Sequence, residues 1–105
     1  MKTLTNGEAS LLLYFEARMV DYGCRVDPAN LNTADLETAK RWDTEGFVFF
    51  GRIAAAYVSR RGSMWCQLSA EALACAAELR RVRALRAWEA RDFTTTLELR
   101  NSAPD

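Results

Sequence analysis

Apolar residues recur at helical spacing near the start of the chain. Leu12, Phe15, Met19 and Tyr22 are separated by three, four and three positions, one stripe of an amphipathic helix. Thr5 and Glu8 stand three apart just ahead of the stripe, the spacing at which a hydroxyl and a carboxylate satisfy each other's free backbone amides. Gly23, free to take a positive φ, supplies the stop. Residues 24–32 are short and interrupted by Pro28, with room for a few extended residues and one turn of helix. Asn32 or Thr33 can cap a second helix reaching about Glu45, with Asp35 near the positive end of its dipole. Gly46 follows where a left-handed residue ends a helix, so Phe47 falls where it can fold back on Trp42.

Beyond Gly46 the periodicity changes. Phe47-Val48-Phe49-Phe50 is a β-prone run closed by Gly51, and Met64-Trp65-Cys66-Gln67-Leu68 is a second. Between them Arg60-Arg61-Gly62-Ser63 is a polar turn signal, so the two runs predict a hairpin with a basic tip. Phe50, Ile53, Ala54, Tyr57 and Val58 also match helical spacing, which leaves strand and helix competing over residues 50–58. Ser69 then caps a long helix to about residue 91, free of Gly and Pro, with Leu68 and Leu73 at staple positions. Ala72, Ala76, Leu79 and Val82 are apolar at helical spacing, and past Val82 no clean stripe continues. Residues 93–100 alternate weakly like a strand and residues 101–105 read as a frayed end. The expected layout is one domain over residues 1–92 with a tail over 93–105.

Composition removes several kinds of chemistry. The 105 residues contain no histidine, which excludes imidazole acid–base catalysis, His-activated nucleophiles and His-ligated zinc. Neighbouring carboxylates such as Asp35/Glu37 and Asp43/Glu45 are two apart on a helix and do not face each other. No Gly-rich phosphate loop is present. An enzyme, a metal site and a cofactor are therefore not expected. Cys24, Cys66 and Cys75 make no Cys-x-x-Cys pair and are odd in number, as free thiols in a reducing cytoplasm would be. No stretch approaches the roughly 20 apolar residues of a membrane span, and no secretory leader is expected.

Fourteen basic residues balance fourteen acidic ones, but not evenly along the chain. Residues 1–46 carry five basic and eight acidic side chains, a net of −3, and residues 47–105 carry nine arginines and six acidic ones, a net of +3. The positive charge gathers at the hairpin and on the last helix, entirely as arginine, whose guanidinium suits phosphate and carboxylate partners.

The order of elements resembles a winged helix: helix, short extended segment, helix, Gly-Phe-Val, hairpin, then a long helix. Trp42-Asp43-Thr44-Glu45-Gly46-Phe47-Val48 is similar to the end of a recognition helix leading into the first wing strand in bacterial winged-helix regulators. Residues 64–72, Met-Trp-Cys-Gln-Leu-Ser-Ala-Glu-Ala, resemble the second wing strand and following helix of the MarR and PadR families. The chain also resembles small proteins of tailed phages and prophages. The resemblance, spanning roughly residues 4–90, implies an α+β, mainly helical fold with a hairpin wing and a long C-terminal helix. It further implies a DNA-binding regulator that contacts double-stranded DNA through Lys40, Arg41, Arg52, Arg60, Arg61, Arg80 and Arg83. A homodimer through the last helix is expected with it.

Two features depart from that pattern. Residues 24–32 are too few for a normal positioning helix, and the second helix has two basic and four acidic residues, a net of −2 facing a polyanion. A protein-interaction module with no nucleic-acid contact is therefore the competing expectation, and the aromatic residues around the hairpin favour it.

Overall fold

The computed structural model describes residues 2–58 and 62–89. Among them are three α-helices and a small antiparallel sheet: α1 (Asn6–Asp21), β1 (Arg25–Val26), α2 (Thr33–Glu45), β2 (Val48–Arg52), β3 (Met64–Leu68) and α3 (Ala70–Glu89). The fold is α+β and mainly helical. Two single 3-10 turns, Pro28–Asn30 and Ala55–Tyr57, sit in the connections.

The helix boundaries follow from side-chain capping. The Thr5 hydroxyl accepts from the Glu8 N–H, and the Glu8 carboxylate accepts from the Thr5 N–H. Asn32 and Asp35 repeat this reciprocal pair at the start of α2. The Ser69 hydroxyl accepts the Ala72 N–H at 3.1 Å and so opens α3. Gly46 ends α2 with φ 71°, a left-handed conformation that a side chain resists. The reversal lets the Phe47 N–H reach the Trp42 carbonyl at 2.9 Å, and the two rings meet edge to face at 5.3 Å.

Residues 24–32 hold the two-residue strand β1 and the single 3-10 turn, in which Pro28 occupies the first position and Asp27 caps through the Ala29 N–H. Before it, Gly23 and Cys24 both take positive φ and reverse the chain out of α1.

The sheet order is β1-β3-β2, with Val48 opposite Leu68 and Arg52 opposite Met64 at the two ends of the hairpin ladder. A further bond from the Ile53 N–H to the Ser63 carbonyl extends the pairing one step. Residues 48–52 are thus strand. The helical spacing from Phe50 to Val58 is realised only as the single turn Ala55–Tyr57, because the ladder claims the backbone groups of its first residues.

One face of the sheet packs on the helices. Val26, Val48, Phe50, Cys66 and Leu68 join Leu12 and Phe15 of α1, Ala39 and Trp42 of α2, and Ala72, Cys75 and Ala76 of α3 in one core. The rings of Phe15 and Phe50 lie 5.6 Å apart across α1 and β2. Of the α1 stripe, Leu12 and Phe15 are buried and Met19 packs at the margin, its sulfur accepting the Leu68 N–H. Tyr22 is instead half exposed beneath the Arg18 guanidinium, 3.9 Å from the ring centroid, since α1 has ended by then. Along α3, Ala72 and Ala76 are buried, and residues 83–89 are all exposed, which accounts for the lost stripe. Leu73, expected to staple the helix start, is 38% exposed. The tail, residues 93–105, lies outside the described residues.

Candidate functional site

The basic residues fall into two groups. The first ties helices together. Arg41 of α2 pairs with Glu8 of α1 and, at 3.5 Å, with Glu45 one turn along its own helix. Arg80 of α3 pairs with Glu16 of α1, and one turn on Arg83 donates to the Ser10 hydroxyl at 3.2 Å. Three of the arginines singled out from the sequence thus converge on α1. Glu8 is held as a carboxylate below its usual range, first by the Thr5 N–H and also by Arg41.

The second group is open. Lys40 of α2 and Arg52 of β2 line one groove of about 510 Å³ between α2, the Pro28 turn and the hairpin. Both are exposed, and neither side chain has an ion pair or hydrogen bond among the described residues. The rest of the lining is largely apolar, with Leu36, Phe50, Ile53, Val58 and Met64 as its main surfaces. Helix and strand are locked at this junction by Asp43, whose carboxylate accepts the Phe50 N–H at 3.0 Å. Arg60 and Arg61, which the sequence placed at the hairpin tip, lie outside the described residues.

The acidic residues of α2 have definite posts as well. Asp35 caps the first turn, Asp43 holds β2, and Glu45 pairs with Lys2 and Arg41. Three of the four carboxylates therefore sit at the helix ends, in structural contacts, and Glu37 remains on the exposed middle with Lys40.

A third surface bears on the aromatic residues around the hairpin. The outer face of the sheet carries Phe49, Trp65, Arg25 and Gln67, with Trp65 paired to Arg25 on one side and Gly51 on the other. Phe49 is 41% and Trp65 37% exposed. The indole lies across Gly51, where a Cβ would stand 2.9 Å from its Nε1. Of the aromatic residues in and beside the hairpin, Trp42, Phe47 and Phe50 are buried, and Phe49 and Trp65 face outward. The strand alternation was the available signal, because Phe49 stands between two inward residues.

Two of the three thiols are buried. Burial pushes Cys66 up to about 12 and raises Cys75 too, so both stay protonated near neutrality. Among the described residues no group of Cys, Asp and Glu could hold a metal ion, and no helix is long and apolar enough to cross a membrane. No family model, curated protein or solved structure matches the chain.

Proposed function

We propose that the chain is a winged-helix module that binds double-stranded DNA through the junction of α2 and the hairpin. The observation that carries this reading is that Lys40 and Arg52 share one groove there without counter-ions among the described residues. The element order and the β1-β3-β2 sheet support it, since a winged helix sets a helix beside a hairpin in this sequence. In this reading the Pro28–Asn30 turn stands where a positioning helix would run. The acidity of α2 weighs less than its count, because Asp35, Asp43 and Glu45 are held at its ends. Arg60 and Arg61 belong to the proposed interface as hairpin-tip residues. Arg41, Arg80 and Arg83 are assigned to holding α1 against α2 and α3.

A gel-shift titration on nonspecific duplex at low salt tests this. The chain retards the duplex, and Lys40→Ala with Arg52→Ala lowers the slope of log affinity against log salt by about 0.9 for each phosphate contact removed. No retardation at low salt overturns the proposal.

The exposed pair Phe49 and Trp65 favours a second reading, a winged-helix module that binds a protein through the outer sheet face. Under that reading Trp65→Ala abolishes stoichiometric capture of a partner from a bacterial lysate, and Lys40→Ala with Arg52→Ala leaves it intact. A wild-type capture that yields nucleic acid and no stoichiometric protein removes it.

A further inference from the structure

We propose that the outer face of the sheet is a stacking platform for single-stranded DNA. Phe49 of β2 and Trp65 of β3 stand on adjacent antiparallel strands, and the register pairs Phe49 with Gln67 and Trp65 with Gly51. The two residues are therefore diagonal neighbours, about 7–8 Å apart at their Cα atoms. Both rings are exposed, although Trp42, Phe47 and Phe50 nearby are buried. Gly51 shapes the platform. Its missing side chain leaves room for the indole, which a Cβ there would meet at 2.9 Å. One side of the indole thus rests on the sheet and the other faces solvent.

Charge narrows the occupant. The outward strand positions Arg25, Phe49, Gly51, Trp65 and Gln67 hold one cation and no carboxylate. Arg25 lies opposite Trp65 in the ladder, and its guanidinium donates to the Tyr57 carbonyl at 2.6 Å. That bond fixes the group beside the rings without neutralising it, and no described carboxylate pairs with it. Its remaining N–H donors suit a phosphate oxygen. An unpaired strand supplies both parts in one ligand, flat bases for the rings and a phosphate for Arg25. A duplex does not, because its bases are already stacked on one another. An apolar protein patch covers the rings and buries Arg25 without a counter-charge. The choice of DNA over RNA rests on the duplex reading. The groove with Lys40 and Arg52 lies on the inner side of the same hairpin, so a strand separated from a duplex held there meets this face next.

The test follows the fluorescence anisotropy of a labelled oligothymidylate of about eight nucleotides with the full chain at low salt. It binds with a dissociation constant of about 1 mM or tighter. An abasic strand of the same length and charge binds at least about fivefold more weakly, because only bases stack. Trp65→Ala and Phe49→Ala each weaken oligothymidylate at least about fivefold while circular dichroism shows the fold retained. Trp65→Phe, which keeps an aromatic face, retains most of the binding. In the nitrogen–proton correlation spectrum the Trp65 indole signal moves and that of buried Trp42 stays in place. Lys40→Ala with Arg52→Ala leaves oligothymidylate binding unchanged. Loss of duplex retardation alone therefore counts against the duplex reading, and loss of oligothymidylate binding alone counts against this one. No oligothymidylate binding overturns the proposal, as do equal binding of the abasic strand, oligouridylate binding as tight or tighter, or stoichiometric capture of a protein through Trp65.

Discussion

The helix side and the hairpin side of this protein treat positive charge in opposite ways. On the helix side Arg41, Arg80 and Arg83 reach across to Glu8, Glu16 and Ser10 of α1. On the hairpin side Lys40 and Arg52 line a partly apolar groove with no described partner. Lys40 and Arg41 are adjacent in the chain, and one helical step of about 100° sends one to each side. A cluster of arginines in a sequence is therefore not yet a binding surface. What counts is which of them the fold leaves without an answer.

The largest expected effect tests whether the groove is a built feature or an incidental surface. Phe50 contributes both to its lining and to the core, so Phe50→Ala should cost about 3–5 kcal/mol in urea denaturation. Phe49→Ala, one residue away on the exposed face, should change stability by less than about 1 kcal/mol. Similar losses for both would erase the distinction between the two faces of the hairpin.

Next is the mouth of the hairpin. Gly62 has φ 142°, and a Cβ there would lie 2.1 Å from the Val26 carbonyl oxygen. Gly62→Ala must move backbone to relieve that overlap, so a loss of about 2 kcal/mol or more is expected. The groove-lining residues Ser63 and Met64 follow directly, so their amide signals should shift most. A variant as stable as the parent would mean that β1 and the hairpin are not held together here.

The smallest effect separates the two sets of cations most directly. Arg80→Ala removes an exposed ion pair and should cost no more than about 1 kcal/mol. If the helix-side arginines only hold helices together, duplex affinity and its salt slope stay unchanged in that variant. A fall in the slope equal to that of Lys40→Ala would place Arg80 in the interface and break the division.

Much of the frame was readable without coordinates, because capping and turn chemistry are local. Thr5/Glu8, Gly46 and Ser69 each act on backbone groups within a few residues and sit where the spacing put them, and of the two candidate caps Asn32 and Thr33 the structure takes Asn32, with Asp35 pairing back to it. The lost stripe beyond Val82 was legible for the same reason, and residues 83–89 are exposed. Residues 50–58 were ambiguous because the groups that decide them lie far along the chain. Ser63 and the β3 ladder fix residues 48–53 as extended, and no local spacing records that partnership.

The sequence by itself determined the start of the first and last helices, the Gly46 stop, the absence of imidazole chemistry and the uneven distribution of charge. Those depend on residue identity and on contacts a few positions long. Only the tertiary structure decided which cations meet carboxylates, which aromatics face water, and that Leu36, Phe50, Val58 and Met64 gather beside Lys40 and Arg52. Long-range pairing brings together residues whose separation in the chain carries no signal, and the direction of each side chain follows from that pairing.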